Sequence, residues 1–296
     1  MNRLRRAGFF KSPIWFLVPV IIYYAAFWIR PTISVIIESF TDKSGVFSFA
    51  NYVRLFSQKS MRTAFLNTIL FTLGSAILQF ILAFALALWL NKKFRFSNLV
   101  LFITLIPMAF PPAAVGILWK TGLYRFGWIN SFLCSLGLMN PANPVDWMSF
   151  RNLYAVILLI IIDTWTVLPS VMIILLAGLQ NFNKEFEEAG WVFGANKFQT
   201  LKDIVFPIMK PTIITAMILR MIAAVQVWLI AVMIFGYNVV PFLVERIAYN
   251  VDVITFGKYA RKDAYTISVI VAAIVLISVS IYLRVSGEKQ KGGEIA

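Results

Sequence analysis

A chain of 296 residues that is 60% hydrophobic, with a mean hydropathy of +0.81, is far more apolar than a soluble domain at about 45–50%, and it reads as an integral membrane protein. Its 27 Lys and Arg against 13 Asp and Glu leave a net charge of +14, but the cations flank apolar runs, which points to anionic lipid and topology control rather than nucleic acid. With no histidine and one cysteine, Cys134, the chain excludes His- or Cys-based zinc sites, Ser-His-Asp triads, Cys-His pairs and an internal disulfide; a phosphate loop is also missing, since Gly257-Lys258 is followed by Tyr259.

The first twelve residues carry Arg3, Arg5, Arg6 and Lys11 ahead of an apolar run that continues to about Ile37. No small-residue cleavage site interrupts it, so it reads as a retained membrane helix and not a signal peptide. A helix needs about 20 mostly apolar residues to cross a bilayer. Six segments qualify, over 14–37, 64–90, 99–119, 153–178, 210–235 and 264–284. Pro107, Pro111 and Pro112 predict a kink or break in the third. Six crossings put both termini on one side. With the N-terminus cytoplasmic, 14 Lys and Arg lie inside and 11 outside, and the basic cluster before the first helix supports that orientation. The expected organisation is an N-terminal part over 1–62 (tail, first helix, external loop), a membrane domain over 63–286 and a cytoplasmic tail over 287–296.

The longest cytoplasmic loop, 181–208, is charged and amphipathic. Asn183 can cap a helix beginning at Lys184, with Glu185, Glu187 and Glu188 in its first turns where the helix dipole favours them. That helix is expected to end near Gly194, in the left-handed turn that glycine tolerates. A second helix is expected from Ala195 to Phe206, with Phe198, Leu201 and Val205 on one face, ended by Pro207 and Pro211 before the next crossing. Physics alone leaves two readings: an element lying on lipid, or one docking on a partner.

The segment resembles the EAA loop of the membrane subunits of binding-protein-dependent ABC importers, EAA-x3-G-x9-I-x-L-P. Glu188-Ala189-Gly190 stands for EAA, Gly194 follows after three residues, and nine more lead to Ile204 and then Phe206-Pro207. The departures are Gly190 for alanine, Phe206 for leucine, and Phe193 where many members carry Asp. Pro31, Ser39-Phe40-Thr41-Asp42, Phe49-Ala50-Asn51-Tyr52, Asn67-Thr68 and Leu176-Ala177-Gly178-Leu179-Gln180 are similar to the maltose-type carbohydrate permeases. The GGP of that group is missing; Gly236-Tyr237-Asn238 is nearest. The resemblance implies an all-α integral membrane protein of the type I ABC importer permease fold, with six transmembrane helices and a cytoplasmic coupling loop. Glu188, Ala189, Gly190, Gly194, Ile204 and Pro207 are the ATPase-coupling residues it implies. It implies a non-catalytic subunit without cofactor, working with two copies of an ABC ATPase that bind ATP and Mg, a second, different permease and an extracytoplasmic solute-binding protein. The location implied is the inner membrane of a prokaryote, and the solute a di- or oligosaccharide or glycerol phosphate.

Polar residues inside a membrane are expensive. Thr68, Thr72, Ser75 and Gln79 form one stripe; Asp163, Thr166 and Ser170 share a face; Thr212, Thr215 and Gln226 cluster in the fifth crossing. Serine and threonine stripes read equally as interhelical packing surfaces. Asp163, Arg220 and Gln226 are the candidates for the solute path, with Trp165, Trp228 and Tyr237 as aromatic platforms, although Asp163 and Arg220 pairing with each other is an open alternative. Trp15, Trp28, Trp119 and Trp147 read as interfacial belt residues. The rival functions are a stand-alone ion-coupled secondary transporter, which inverted repeats and an acidic ion site would favour, and a membrane-embedded enzyme, which needs a catalytic cluster.

Overall fold

The computed structural model describes residues 16–42, 44–251 and 253–287, whose regular secondary structure is helical apart from one isolated β-bridge, Thr41 to Phe47. The basic cluster at 3–11, Trp15 and the tail beyond Gly287 lie outside the described residues. Five helices are long and apolar enough to cross a membrane, and six if one bent pair counts as a span. They are α1 (Val18–Ser39), α3 (Lys59–Asn91), the pair α4 (Ser97–Leu105) and α5 (Pro112–Leu123), α7 (Asn152–Gln180), α9 (Lys197–Val225) and α12, whose Arg261–Ile281 stretch qualifies within Val253–Gly287.

The centre is built by α3 and α7, which lie along each other. Small residues on α3 (Ala64, Ala76, Ala83, Ala87) are buried and let the backbones approach. Gly178 on α7 does the same toward α9, where a Cβ would lie 2.7 Å from Thr212 Cγ2. One apolar cluster, with Phe71, Leu159, Ile162 and Phe242, fills one half of the bundle; another, with Met172, Leu175, Val205 and Met209, fills the half next to the charged loop. By contrast, the membrane stretch of α1 buries nothing within the chain and packs on α12 through its Arg30–Ser39 half.

The loop after α1 is tied down by the residues the sequence singled out there. Asn51, on α2 (Ala50–Ser57), donates to Ser39 O at 3.1 Å and Thr41 O at 2.9 Å. Lys262 donates to Thr41 O and Asp42 O, and Arg54 is ion-paired with Asp263. Asn67 donates to Pro241 O, and Thr68 Oγ1 accepts from Leu243 N. These motif residues are joints between connections and spans.

Two spans depart from the expected boundaries. The third, expected over 99–119, is two helices bent by 96° around Phe110 and Pro111. Pro107, Pro111 and Pro112 each remove a donor from the ladder, and a short 3-10 turn over Ile106–Ala109 leads into an extended Pro111. The fifth, expected over 210–235, instead starts at Lys197 and ends at Val225. Pro207 and Pro211 do not end the loop's second helix, which is the first turns of α9. A π-helical stretch at Thr200–Val205 shifts the hydrogen-bond register just ahead of Pro207, so the missing N–H falls where the ladder is already being reset. Beyond Val225 the chain turns at Gln226–Trp228 and makes a separate short helix, α10 (Leu229–Phe235). This helix packs on α5 so closely that a Cβ on Gly116 would lie 2.4 Å from Met233 Cβ.

The connection between α5 and α7 folds around Asn130, on α6 (Trp128–Ser135), which is 2% exposed. Its side chain donates to Arg125 O and Val145 O and accepts from Trp147 Nε1 at 2.7 Å. Trp119 sits with its ring 5.6 Å from Trp128 and 5.8 Å from Trp165. Trp119 and Trp147 are therefore partly buried packing residues rather than members of an exposed belt.

Candidate coupling loop and solute cavity

The charged loop folds into an elbow with both arms fastened. Its first arm, α8 (Glu185–Val192), starts one residue later than expected: Asn183 Oδ1 accepts from Glu185 N at 3.1 Å, and Asn183 Nδ2 donates to Glu185 Oε2 at 3.0 Å. Glu185, Glu187 and Glu188 occupy its first turn, at the positive end of the dipole. The helix ends in a Schellman turn: Gly194 N donates to Trp191 O at 3.0 Å, Ala195 N to Gly190 O at 2.9 Å, and Gly194 has φ +85°. The second arm opens with a capping box absent from the sequence reading, in which Asn196 and Gln199 exchange side-chain-to-backbone bonds of 2.9 and 2.8 Å. Gly190 is the buried contact between the arms, since a Cβ there would lie 2.5 Å from Ile204 Cδ1. The tip carries Val192 at 83% and Phe193 at 91% exposure, an apolar point that no described residue covers.

The second feature is a cavity of about 310 Å³ in the middle of the bundle. Its walls are Pro112 and Val115 of α5, Asp163 and Thr166 of α7, Arg220 of α9, and the Gln226–Ile230 turn into α10. Four of the six residues expected at the path thus meet here: Asp163, Arg220, Gln226 and Trp228. Trp165 and Tyr237 do not line the cavity; Trp165 packs edge-on against Trp119, and the Tyr237 ring lies 5.8 Å from that of Tyr249.

Asp163 and Arg220 form an ion pair, 8% and 5% exposed. Gln79 Nε2 donates to Asp163 Oδ2 at 2.8 Å and Arg220 Nη2 to Ser75 Oγ at 3.0 Å, so two members of the α3 stripe hold the pair from behind. This ties α3, α7 and α9 together at one level. Buried charges survive when paired and hydrogen-bonded. The pair is not saturated: Arg220 Nε and Gln79 Oε1 are buried without partners among the described residues. Thr72, by contrast, meets no hydrogen-bond partner, and Thr68 serves the connection to α11 (Leu243–Asn250). The stripe therefore divides: Thr68 joins α3 to the connection before α11, and Ser75 and Gln79 back the ion pair.

Both features lie within residues 79–286, or just beside them, and that stretch matches the profile of the binding-protein-dependent transport system inner membrane component. The chain belongs to this family. Among its relatives, the trehalose/maltose transport system permease protein MalF of Thermococcus litoralis is 29% identical over 275 residues, 92% of this chain and 88% of that protein. The arabinooligosaccharides transport system permease protein AraP of Bacillus subtilis is 26% identical over 293 residues, 94% of this chain and 90% of that one. A solved bacterial alginate ABC transporter, in complex with an alginate pentasaccharide-bound periplasmic protein, contains a chain of the same fold, with a TM-score of 0.77 at 21% identity over 96% of this chain and 95% of that one. This importer membrane component is accordingly a multi-pass permease subunit of the inner membrane, and the stand-alone ion-coupled transporter is set aside.

Proposed function

We propose that this importer membrane component carries a carbohydrate, a di- or oligosaccharide or glycerol phosphate, through the cavity between α5, α7, α9 and α10, driven by ATP hydrolysis on separate subunits. The sugar-importer relatives support the solute class. The observation that carries the driving step is continuity: one helix runs from the elbow at Lys197 to Val225, placing Arg220 and the Gln226 turn at the far end of the same rod. A displacement of the elbow is therefore delivered to the cavity wall.

In this reading Glu188, Ala189, Gly190, Gly194, Ile204 and Pro207 form the coupling element, and the exposed Val192–Phe193 tip seats in a cleft of the ATPase. Two ATPase copies, a second and different permease, and an extracytoplasmic binding protein complete the importer, with both termini and the elbow in the cytoplasm. Asp163, Arg220, Gln226 and Trp228 border the path, with the Trp228 ring and the Gln226 amide presented to sugar faces and hydroxyls. Chain purified free of its partners is expected to hydrolyse no ATP, whereas the assembled importer hydrolyses it on addition of sugar-loaded binding protein. Hydrolysis surviving complete removal of the ATPase overturns the reading.

A further inference from the structure

A second polar cavity, of about 260 Å³, lies where α3, α4 and α7 end together at the edge of the membrane stretch. Lys93, Ser97, Asn98 and Gln180 converge on it, and Leu101 and Leu176 form its apolar floor. These four side chains are hydrogen-bond donors, and none of them is engaged with another described residue of the chain. Lys93 is held there by its backbone, at φ +49°, a left-handed conformation that non-glycine residues adopt uncommonly. No acid lines the cavity, and residues 59–145 contain no Asp or Glu at all, so the cations Lys92, Lys93 and Arg95 have no counter-ion in their own part of the sequence. Lys92 faces a different cavity that Glu187 also lines; Lys93 has no such neighbour.

We infer that this pocket binds the phosphate of an anionic phospholipid, with Lys93 as the charge partner, Ser97, Asn98 and Gln180 as donors to the phosphate and glycerol oxygens, and the acyl chains leaving over the Leu101 and Leu176 floor. A basic, donor-rich recess at the membrane edge, floored by Leu101 and Leu176, has the polarity profile of a headgroup above its chains. A soluble anion would use the donors but leave the apolar floor without a partner.

The test is native mass spectrometry of the detergent-solubilised importer titrated with dioleoylphosphatidylglycerol or dioleoylphosphatidylcholine. One phosphatidylglycerol is expected to be retained per chain in preference to phosphatidylcholine. Lys93→Gln weakens retention about fivefold, the effect of one cation near a membrane surface. Asn98→Leu weakens it also, Lys93→Arg preserves it, and Arg125→Gln, at the other end of the bundle, leaves it unchanged. Equal retention of the two lipids, or unaltered retention in both Lys93→Gln and Asn98→Leu, overturns the inference. So does displacement of the lipid by inorganic phosphate alone, which would mark a free-anion site. Loss of the ATPase from Lys93→Gln with lipid retention intact overturns it as well, because a partner's carboxylate would then be what Lys93 meets.

Discussion

Gly190 and Ile204 touch across the elbow: a Cβ on Gly190 would fall 2.5 Å from Ile204 Cδ1. The two positions are fourteen residues apart in the motif, and their contact sets the angle between α8 and the start of α9. Because the clashing atom is the end of a flexible side chain, Gly190→Ala is expected to keep most solute uptake, with Ile204 changing rotamer. Gly190→Leu overfills the joint, at about 1–3 kcal/mol, and is expected to lower uptake severalfold. Measured uptake of both variants, normalised to membrane insertion, decides it.

The Asp163–Arg220 pair changes how the cavity has to be probed. Removing one partner leaves the other charge buried, which costs about 3–5 kcal/mol. Asp163→Ala is therefore expected to reduce assembly and thermal stability as well as transport, and the double variant Asp163→Leu with Arg220→Met to recover most of the stability. Melting temperatures of the two purified importers check this. Gln226→Ala touches no charge and is the cleaner path variant: lower uptake with assembly and basal ATP hydrolysis unchanged is expected.

Glu245 lies on α11, in the connection between the fifth and sixth spans, and is 1% exposed. Its Oε1 accepts from Asn238 N at 2.7 Å while Oε2 has no partner, and burial pushes its carboxyl above the ordinary value of 4.5. A carboxyl raised on folding favours the folded state least when ionised, so stability falls as pH rises from 4.5 through the raised value. Glu245→Gln keeps an acceptor for Asn238 and removes that charge. It is expected to melt higher than the wild type at pH 8, with the difference shrinking at pH 5. A lower melting temperature at pH 8 would mean that the carboxylate itself is needed.

Orientation has its own test. A cysteine at Lys197, in a Cys134→Ser background, is expected to resist an impermeant thiol reagent in intact cells and to react once the membrane is opened. Ready labelling from outside inverts the topology.

The motif spacing from Glu188 to Pro207 and the left-handed turn at Gly194 were legible because both are local: they depend on residue order and on what one backbone position tolerates. The ends of the spans were less so. Pro207 and Pro211 look like stops, yet a π turn at Thr200–Val205 carries the helix through them, and nothing in the residue order marks such a turn. The break at Gln226–Trp228 has no proline at all and reflects the packing of α10 on α5. Asp163 and Arg220 were each visible as costly residues, but their pairing through Gln79 and Ser75 depends on three helices meeting at one level. Asn130, with three bonds to distant parts of one connection, was invisible for the same reason.

The central claim is that the elbow is the mechanical joint to the ATPase, and Gly194 is where it is tested most directly. At φ +85° a Cβ meets nothing within 4 Å, so a substitution acts through backbone strain and not through crowding within the chain. That strain is roughly 1–2 kcal/mol and is worst for β-branched residues. Sugar uptake and ATPase co-purification are to be measured together for Gly194→Val and Gly194→Asn. The expected result is that Gly194→Val inserts at wild-type levels but loses the ATPase and uptake together, while Gly194→Asn, which tolerates the left-handed conformation, retains both. Wild-type uptake in Gly194→Val would contradict the account and make the segment a helix lying on lipid.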